Sequence, residues 1–261
     1  MVKNTVLFLF PGQGSQYPGM GSDLLDASAA VRTLVQKASE ISGTDIENLL
    51  RNADADTLKR TDVSQLAITA VNLASLVLLN ERGVEAACCA GHSLGEYAAL
   101  KAASVISMED CFKLVSERGK LMQKAADKLG NSNANPAGMA AVLGIPGEEV
   151  EDLIKQWTSE GLKDLYCANF NSPSQTVIAG SDASLQEAGT RLKEAGAKRV
   201  IRLKVAGPFH SPLIRETADE FRSVLEAVSF KDPLIPVFSN VSGARIGSGK
   251  EARELSLRQI C

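Results

Sequence analysis

Ala86-Ala87-Cys88-Cys89-Ala90-Gly91-His92-Ser93-Leu94-Gly95-Glu96-Tyr97-Ala98-Ala99-Leu100 is the stretch on which the reading of this chain turns. Ala86 to Ala90 is a short apolar run of strand character, and Leu94 to Ala103 is rich in helix formers. Between them Gly91-His92-Ser93-Leu94-Gly95 fits the GxSxG nucleophile elbow in its required setting, strand before and helix after. The two glycines let strand and helix approach closely, leaving the Ser93 hydroxyl exposed at the tip. The helix N-terminus beneath it favours developing negative charge. The competing reading is a glycine-rich turn whose serine is only a cap.

A serine hydroxyl needs a base, most often histidine. The chain has two, His92 and His210. His92 adjoins Ser93 and on a sharp elbow should point away from the hydroxyl, which leaves His210. It lies in Val205-Ala206-Gly207-Pro208-Phe209-His210-Ser211-Pro212, where a glycine and two prolines predict a rigid mounting. Asp164 and Asp182 stand between serine and histidine in the chain, but neither has a loop context that singles it out as a third triad member. A Ser–His dyad oriented by a backbone or amide oxygen is an equal alternative.

Upstream of the elbow, Val6 to Phe10 reads as a buried strand ended by Pro11-Gly12. The loop Gly12-Gln13-Gly14-Ser15-Gln16 follows it. Tyr17 stands where a GxGxxG dinucleotide fingerprint needs its last glycine, so that reading fails. The loop is either a plain turn or the source of an oxyanion-hole donor, the backbone N–H of Gln13, paired with that of Leu94. One such donor is worth about 3–4 kcal/mol in the transition state.

Ser22 to Ile41 reads as one helix capped by Ser22, and a long helix capped by Thr61 or Asp62 runs to about Arg82 before Gly83. Downstream, the helix around Glu109 to Ala126 carries Cys111, Leu114, Val115, Leu121, Met122 and Ala125 on one stripe, and Arg118 falls on the same stripe. A buried guanidinium needs an anion. Either Arg118 pairs with a protein carboxylate or reaches the rim, or it waits for a substrate carboxylate and binds it bidentately. The second reading predicts an acyl group with a free acid at its far end. It would favour malonyl over acetyl by roughly 3–5 kcal/mol.

From about Asn131 the texture changes. Gly130 to Gly138 is rich in Asn, Ser, Pro and Gly, a linker signature. Met139–Leu143, Asp164–Asn169, Gln175–Ala179 and Arg199–Lys204 read as strands; Gly147–Glu160 and Ala183–Ala195 read as helices. The order β-α-β-β-α-β is the ferredoxin-like arrangement. The fold class is therefore α/β: a hydrolase-like parallel-sheet domain, residues 1–129 and 206–261, with an inserted ferredoxin-like small domain, residues 130–205.

With 261 residues, 44% of them apolar, and a net charge of −3, the chain can bury a large core and carries no electrostatic footprint for nucleic acid. Its five cysteines include no CxxC, which fits neither a disulfide framework nor a zinc site; they read as small core residues of a reducing compartment. The N-terminal apolar run is too short for a signal peptide, and no membrane-length apolar run follows, so the cytoplasm is the expected location.

Phe10-Pro11-Gly12-Gln13-Gly14-Ser15-Gln16, Gly91-His92-Ser93-Leu94-Gly95-Glu96-Tyr97, Arg118 with Met122, Asn169-Phe170-Asn171-Ser172-Pro173 and Gly207-Pro208-Phe209-His210-Ser211 together resemble, over essentially the whole chain, the malonyl-CoA:acyl carrier protein transacylases. The resemblance implies Ser93 as the acylated nucleophile, His210 as its base and the amides of Gln13 and Leu94 as the oxyanion hole. It implies Arg118 as the holder of the malonyl carboxylate, with Met122, Asn171 and Phe209 as further substrate-binding residues. Phe209 resembles the malonyl-selecting form, and Asn171 would lie where the small domain closes over the pocket. No cofactor or metal is implied, since coenzyme A and phosphopantetheine enter within the substrates malonyl-CoA and acyl carrier protein. A monomer with no membrane or nucleic-acid partner is the expectation.

Two departures stand out. The stretch 130–137 is longer than in the family. Family members also continue past Cys261 into a Ser/Asn-Pro-Val-x-Trp segment, one residue of which supplies the oxygen that orients the histidine. A chain ending at Cys261 is expected to leave His210 less firmly aimed. Rival readings are a serine thioesterase on the same elbow and a shortened chain that binds but turns over poorly.

Overall fold

Short parallel strands alternating with helices are what the computed structural model shows, over residues 6–130 and 136–261, which it describes. Residues 131–135, the middle of the expected linker, lie outside the described residues. In chain order the elements are β1 (Leu7–Phe10), α1 (Ser22–Ala27), α2 (Ala29–Ser42), α3 (Ile46–Asn52), α4 (Thr61–Glu81), β2 (Cys88–Gly91), α5 (Gly95–Ala102) and α6 (Met108–Gly130). There follow β3 (Ala137–Leu143), α7 (Gly147–Ser159), β4 (Leu165–Ser172), β5 (Gln175–Ser181), α8 (Asp182–Glu194), β6 (Arg199–Arg202), α9 (Arg215–Glu226), β7 (Val237–Phe238) and α10 (Gly249–Arg258).

The chain divides into two compact units, Met1–Leu121 with Glu220–Gln259, and Met122–Asp219 with Ile260–Cys261. The second is larger than the span 130–205 that the change of texture suggests. Composition marks the linker, whereas α6 runs through Leu121 without a break and gives its last turns to the second unit.

In the first unit β1, β2 and β7 form a parallel sheet in that order. Leu7 to Phe10 pair one-to-one with Cys88 to Gly91, and Cys89 and Ala90 pair with Val237 and Phe238. Phe8 and Phe10 point inward and meet edge to face at 6.4 Å between ring centroids. This register brings the ends of β1, β2 and β7 together, so three loops converge where the sheet's C-terminal edge opens, the usual place for a site in such sheets. α4 is apolar enough to cross a membrane by length and composition, but 67% of that window is buried inside the structure.

One expected helix proves to be two. Residue 28 interrupts it: Ser28 is extended, at φ −146° and ψ 135°, and its Oγ accepts from the N–H groups of Ala30 and Val31. The same hydroxyl donates to Glu81 Oε1 at 2.9 Å. A serine that caps a new helix competes with the continuing ladder, and here the cap wins. The caps expected at Ser22, Thr61 and Asp62 are absent: Gly21 precedes α1, Arg60 precedes α4 without a side-chain cap, and Ser22 Oγ donates to Gly19 O.

The second unit contains an antiparallel sheet of order β4-β5-β3-β6, which with α7 and α8 is the ferredoxin-like βαββαβ arrangement. Val142, Ile178, Val150, Ile154, Trp157, Leu185 and Leu192 fill its core between sheet and helices. The buried stripes of α7 (Val150, Ile154, Trp157) and α8 (Leu185, Ala188, Leu192) are the amphipathic faces that dictate it.

Candidate active site

The elbow forms as its glycines require. A Cβ on Gly91 would lie 2.1 Å from the Gly95 carbonyl carbon, and one on Gly95 would lie 2.0 Å from Phe10 O. Only glycine permits strand β2, helix α5 and the end of β1 to come this close. Ser93, between them, has φ 49°, the left-handed backbone that holds a nucleophile on a sharp tip. His92 N donates to Phe10 O, and Gly95 N donates to His92 O, each at 2.9 Å.

The loop after β1 is seated on this elbow. A Cβ on Gly12 would meet His92 O at 2.2 Å. Gln13 follows directly, and its side chain donates to Thr61 Oγ1 at 3.4 Å. The loop is closed by Ser15 Oγ donating to Gly12 O at 2.8 Å and by Gln16, whose Nε2 donates to Leu58 O at 3.2 Å. Gln13 and Leu94 therefore belong to two segments packed against each other.

Arg118 is 1% exposed, on the buried face of α6 where its spacing put it. One terminal nitrogen donates to Ser93 Oγ and to Gln259 Oε1, each at 3.2 Å. The guanidinium carbon sits 5.6 Å from the centroid of the Tyr97 ring. No carboxylate among the described residues forms an ion pair with it, and its Nε is buried without a partner. Burial pushes the guanidinium below its ordinary pKa and pushes the Tyr97 hydroxyl up. Of the readings open for Arg118 in the sequence, the surface-reaching side chain fails, and no carboxylate among the described residues touches it directly, though the buried Glu96 carboxylate attracts it from beyond ion-pair distance.

Three residues the sequence did not single out complete the surroundings of Ser93. Glu96, in the first turn of α5, is 1% exposed, and burial raises its pKa against two hydrogen bonds and the Arg118 charge, which favour the ionised form. Its Oε2 accepts from Asn240 N at 2.8 Å and from Gln259 Nε2 at 3.0 Å. Gln259 Nε2 also donates to Ser93 O at 3.2 Å. Asn240 Oδ1 accepts from Ser93 N, and Asn240 Nδ2 donates to Gly91 O. Asn240 and Gln259 lie 147 and 166 positions along the chain from Ser93, and no local pattern announces them. Glu96 carried a signal, a carboxylate on an otherwise apolar helix face.

The remaining expected residues belong to the second unit. His210 has φ 57° and stands in a loop tied by Ser211 Oγ, which donates to Pro208 O at 2.6 Å, before a 3-10 turn at Pro212–Ile214. Phe209 and Met122 are buried. Asn171 falls in the register shift between Phe170 and Ser172, a β-bulge that re-aims the strand. Of the two aspartates weighed as triad members, Asp182 is engaged by Arg202 in an ion pair. Asp164 accepts at its carbonyl from Ser181 N in the β4–β5 region.

No cluster of three or more His, Cys, Asp or Glu is placed to hold a metal among the described residues. Cys89 and Cys111 are buried, and burial pushes their thiols to about 11 and about 12, too high to serve as nucleophiles near neutral pH. Cys261 is exposed, unlike the core residue expected there.

A family model described as the acyl transferase domain matches residues 7–256. A malonyl CoA-acyl carrier protein transacylase of Bacillus subtilis is 38% identical over 255 residues, covering 98% of this chain and 78% of the relative. Among solved structures, an acyl carrier protein S-malonyltransferase of Vibrio cholerae superposes with TM-score 0.89 at 36% identity, over 97% of this chain and 81% of that one. A malonyl-transacylase solved in complex with a type II polyketide-synthase acyl carrier protein superposes with TM-score 0.88 at 35% identity, over 98% and 81%.

Proposed function

The chain belongs to the acyl transferase domain family, and from that premise we propose that it moves a malonyl group from malonyl-CoA to the phosphopantetheine thiol of an acyl carrier protein through an ester on Ser93. The observation that carries the substrate class is Arg118: a buried cation, partnered by neutral groups and within 3.2 Å of the Ser93 hydroxyl. Such a group is costly until an anion arrives, and a planar guanidinium suits a carboxylate bidentately. A malonyl ester on Ser93 carries its free acid a few bonds from the serine oxygen, within reach of that guanidinium.

His210 serves as the general base. It takes the Ser93 proton as the hydroxyl attacks the thioester carbon, and it returns that proton to the departing coenzyme A sulfur. The carrier's thiol then enters, gives its proton to His210, and attacks the ester, so that Ser93 leaves protonated and the malonyl thioester is rebuilt on the carrier. Ser93's own N–H is occupied by Asn240, so the oxyanion falls to the amides of Leu94 and Gln13, the arrangement usual for an elbow of this type. Phe209 and Met122 shape the acyl pocket, and Asn171 contacts substrate. The reaction needs no metal or resident cofactor. The protein works as a cytoplasmic monomer, outside membranes, and serves fatty acid synthesis.

Intact mass after brief exposure to malonyl-CoA tests the first half-reaction, in parallel with Ser93→Ala. A malonyl adduct on the parent and none on the variant is expected, followed by its loss to added phosphopantetheinylated carrier protein. Adduct on the Ser93→Ala chain would overturn the assignment of the nucleophile. Loss of the adduct to water at a rate indifferent to carrier protein would identify a thioesterase instead.

A further inference from the structure

Ser93 is held from outside its own segment. Its left-handed backbone is one a serine adopts only where surrounding contacts over-determine it. Side chains grip that backbone on both sides: Gln259 Nε2 donates to Ser93 O at 3.2 Å, and Asn240 holds the N–H side. The Asn240 carboxamide oxygen takes the Ser93 N–H and its nitrogen donates to Gly91 O, so one planar group spans the elbow on both sides of His92. An amide is suited to this task because it offers an acceptor and a donor on a fixed fork.

Asn240 is itself fixed. Its backbone N–H donates to the buried Glu96 carboxylate at 2.8 Å. Its neighbour Ser239 is buried, donates through its N–H to Ala244 O at 3.0 Å, and accepts from Val241 N at its Oγ at 3.1 Å. Two residues earlier Phe238 pairs with Ala90, so the β7–β2 register delivers Asn240 beside the elbow rather than a flexible loop doing so. Glu96 lies on α5, the helix that begins at the elbow itself. The clamp therefore ties the end of β7, the end of β2 and the start of α5 into one piece.

We propose that Asn240 is a positioning residue for Ser93: it holds the elbow in its left-handed conformation and takes up the nucleophile's own N–H. The inference rests on reading Ser93 as the nucleophile and adds how its oxygen is aimed. Among the described residues no hydrogen bond joins Asn240 to Arg118, so its loss should weaken attack while leaving carboxylate binding alone. A misplacement of about 1 Å can slow attack by about 10²-fold, and smaller shifts by less.

The test compares the parent with Asn240→Ala and Asn240→Asp in three measurements. These are single-turnover acylation of Ser93 by malonyl-CoA followed by mass, labelling of Ser93 by a fluorophosphonate probe, and thermal melting. Asn240→Ala should acylate about 10- to 100-fold more slowly at saturation, with the half-saturating malonyl-CoA concentration within about twofold of the parent. Fluorophosphonate labelling should slow in the same proportion. Asn240→Asp keeps an acceptor for the Ser93 N–H but loses the donor to Gly91 O, so its rate should fall between the two. Labelling of Asn240→Ala at the parent's rate would overturn the proposal, and so would a loss confined to the half-saturating concentration. Should Asn240→Ala melt below the assay temperature, Asn240→Asp decides alone, and a parent-like labelling rate sinks the idea. A parent that labels with fluorophosphonate but takes no malonyl group would count against the malonyl substrate only, and the labelling comparison would still judge Asn240.

Discussion

Two arginines sit over aromatic rings at the same distance: Arg118 over Tyr97 and Arg191 over Trp157, each with its guanidinium carbon 5.6 Å from the ring centroid. Everything else about them differs. Arg191, on α8 in the second unit, is partly exposed and paired with both Glu160 and Glu187. Arg118, on α6 in the first unit, is buried, carries no ion pair among the described residues, and has a nitrogen against Ser93. The first is a satisfied side chain that fastens two helices of the ferredoxin-like unit. The second is a buried charge with no ion-pair partner among the described residues, and such a charge persists where a ligand supplies one. The ring contact alone would not have separated them; burial and missing carboxylates do.

The hardest way to break this contrast is to remove that buried charge. Arg118→Met keeps much of the side-chain volume and ends the attraction for a free acid. Acylation of Ser93 by malonyl-CoA should fall about 10²- to 10³-fold, while acylation by acetyl-CoA should hold or rise, since the pocket no longer contains a desolvated cation. Parallel loss with both donors would mean that Arg118 supports the elbow rather than the acyl group.

How much of this was legible differs between local and distant signals. The elbow was readable because strand, glycine, serine, glycine and helix are consecutive, and each constrains the next. Arg118 was readable because a helix repeats every 3.6 residues and a charge on the apolar stripe breaks the repeat. The βαββαβ order survived because each of its elements carries its own period. The break at Ser28 was not readable, since the apolar spacing continues across it and the decision lies with a hydroxyl that also reaches Glu81. Val237–Phe238 is too short to stand out as a strand, yet its pairing with β2 is what brings Asn240 to Ser93. Gln259 likewise depends on where α10 ends in space, which no window of sequence contains.

A subtler challenge concerns Glu96, the buried carboxylate that is linked to Arg118 by hydrogen bonds through the Gln259 amide and attracts it through space. If Glu96 were the hidden counter-charge of Arg118, the contrast with Arg191 would shrink. Burial is the largest influence on Glu96 and raises its pKa. Its folded form therefore holds a proton more tightly than its unfolded form, and its contribution to stability declines as pH rises from about 4.5 through the raised value. Glu96→Gln keeps a carbonyl oxygen for Asn240 N and Gln259 Nε2 and removes that penalty. The variant should melt at or above the parent at pH 7, with the difference closing toward pH 4, as followed by calorimetry. A variant that melts well below the parent at pH 7 would show Glu96 balancing Arg118 after all.

The smallest effect belongs to the other side of the comparison. Arg191 is partly exposed, its carboxylate partners more so, and its two ion pairs join side chains that water and salt also serve. Arg191→Ala should shift the melting temperature by no more than about 2 °C, less in high salt, and leave Ser93 acylation within experimental scatter of the parent. Part of even that shift comes from the lost cover over Trp157 rather than from charge. The control is Arg191→Met, which restores apolar cover without the guanidinium and should recover most of the loss. A fall in acylation rate in either variant would mean that the ferredoxin-like unit feeds its charge into the reaction, and that burial is the wrong criterion for telling a waiting arginine from a settled one.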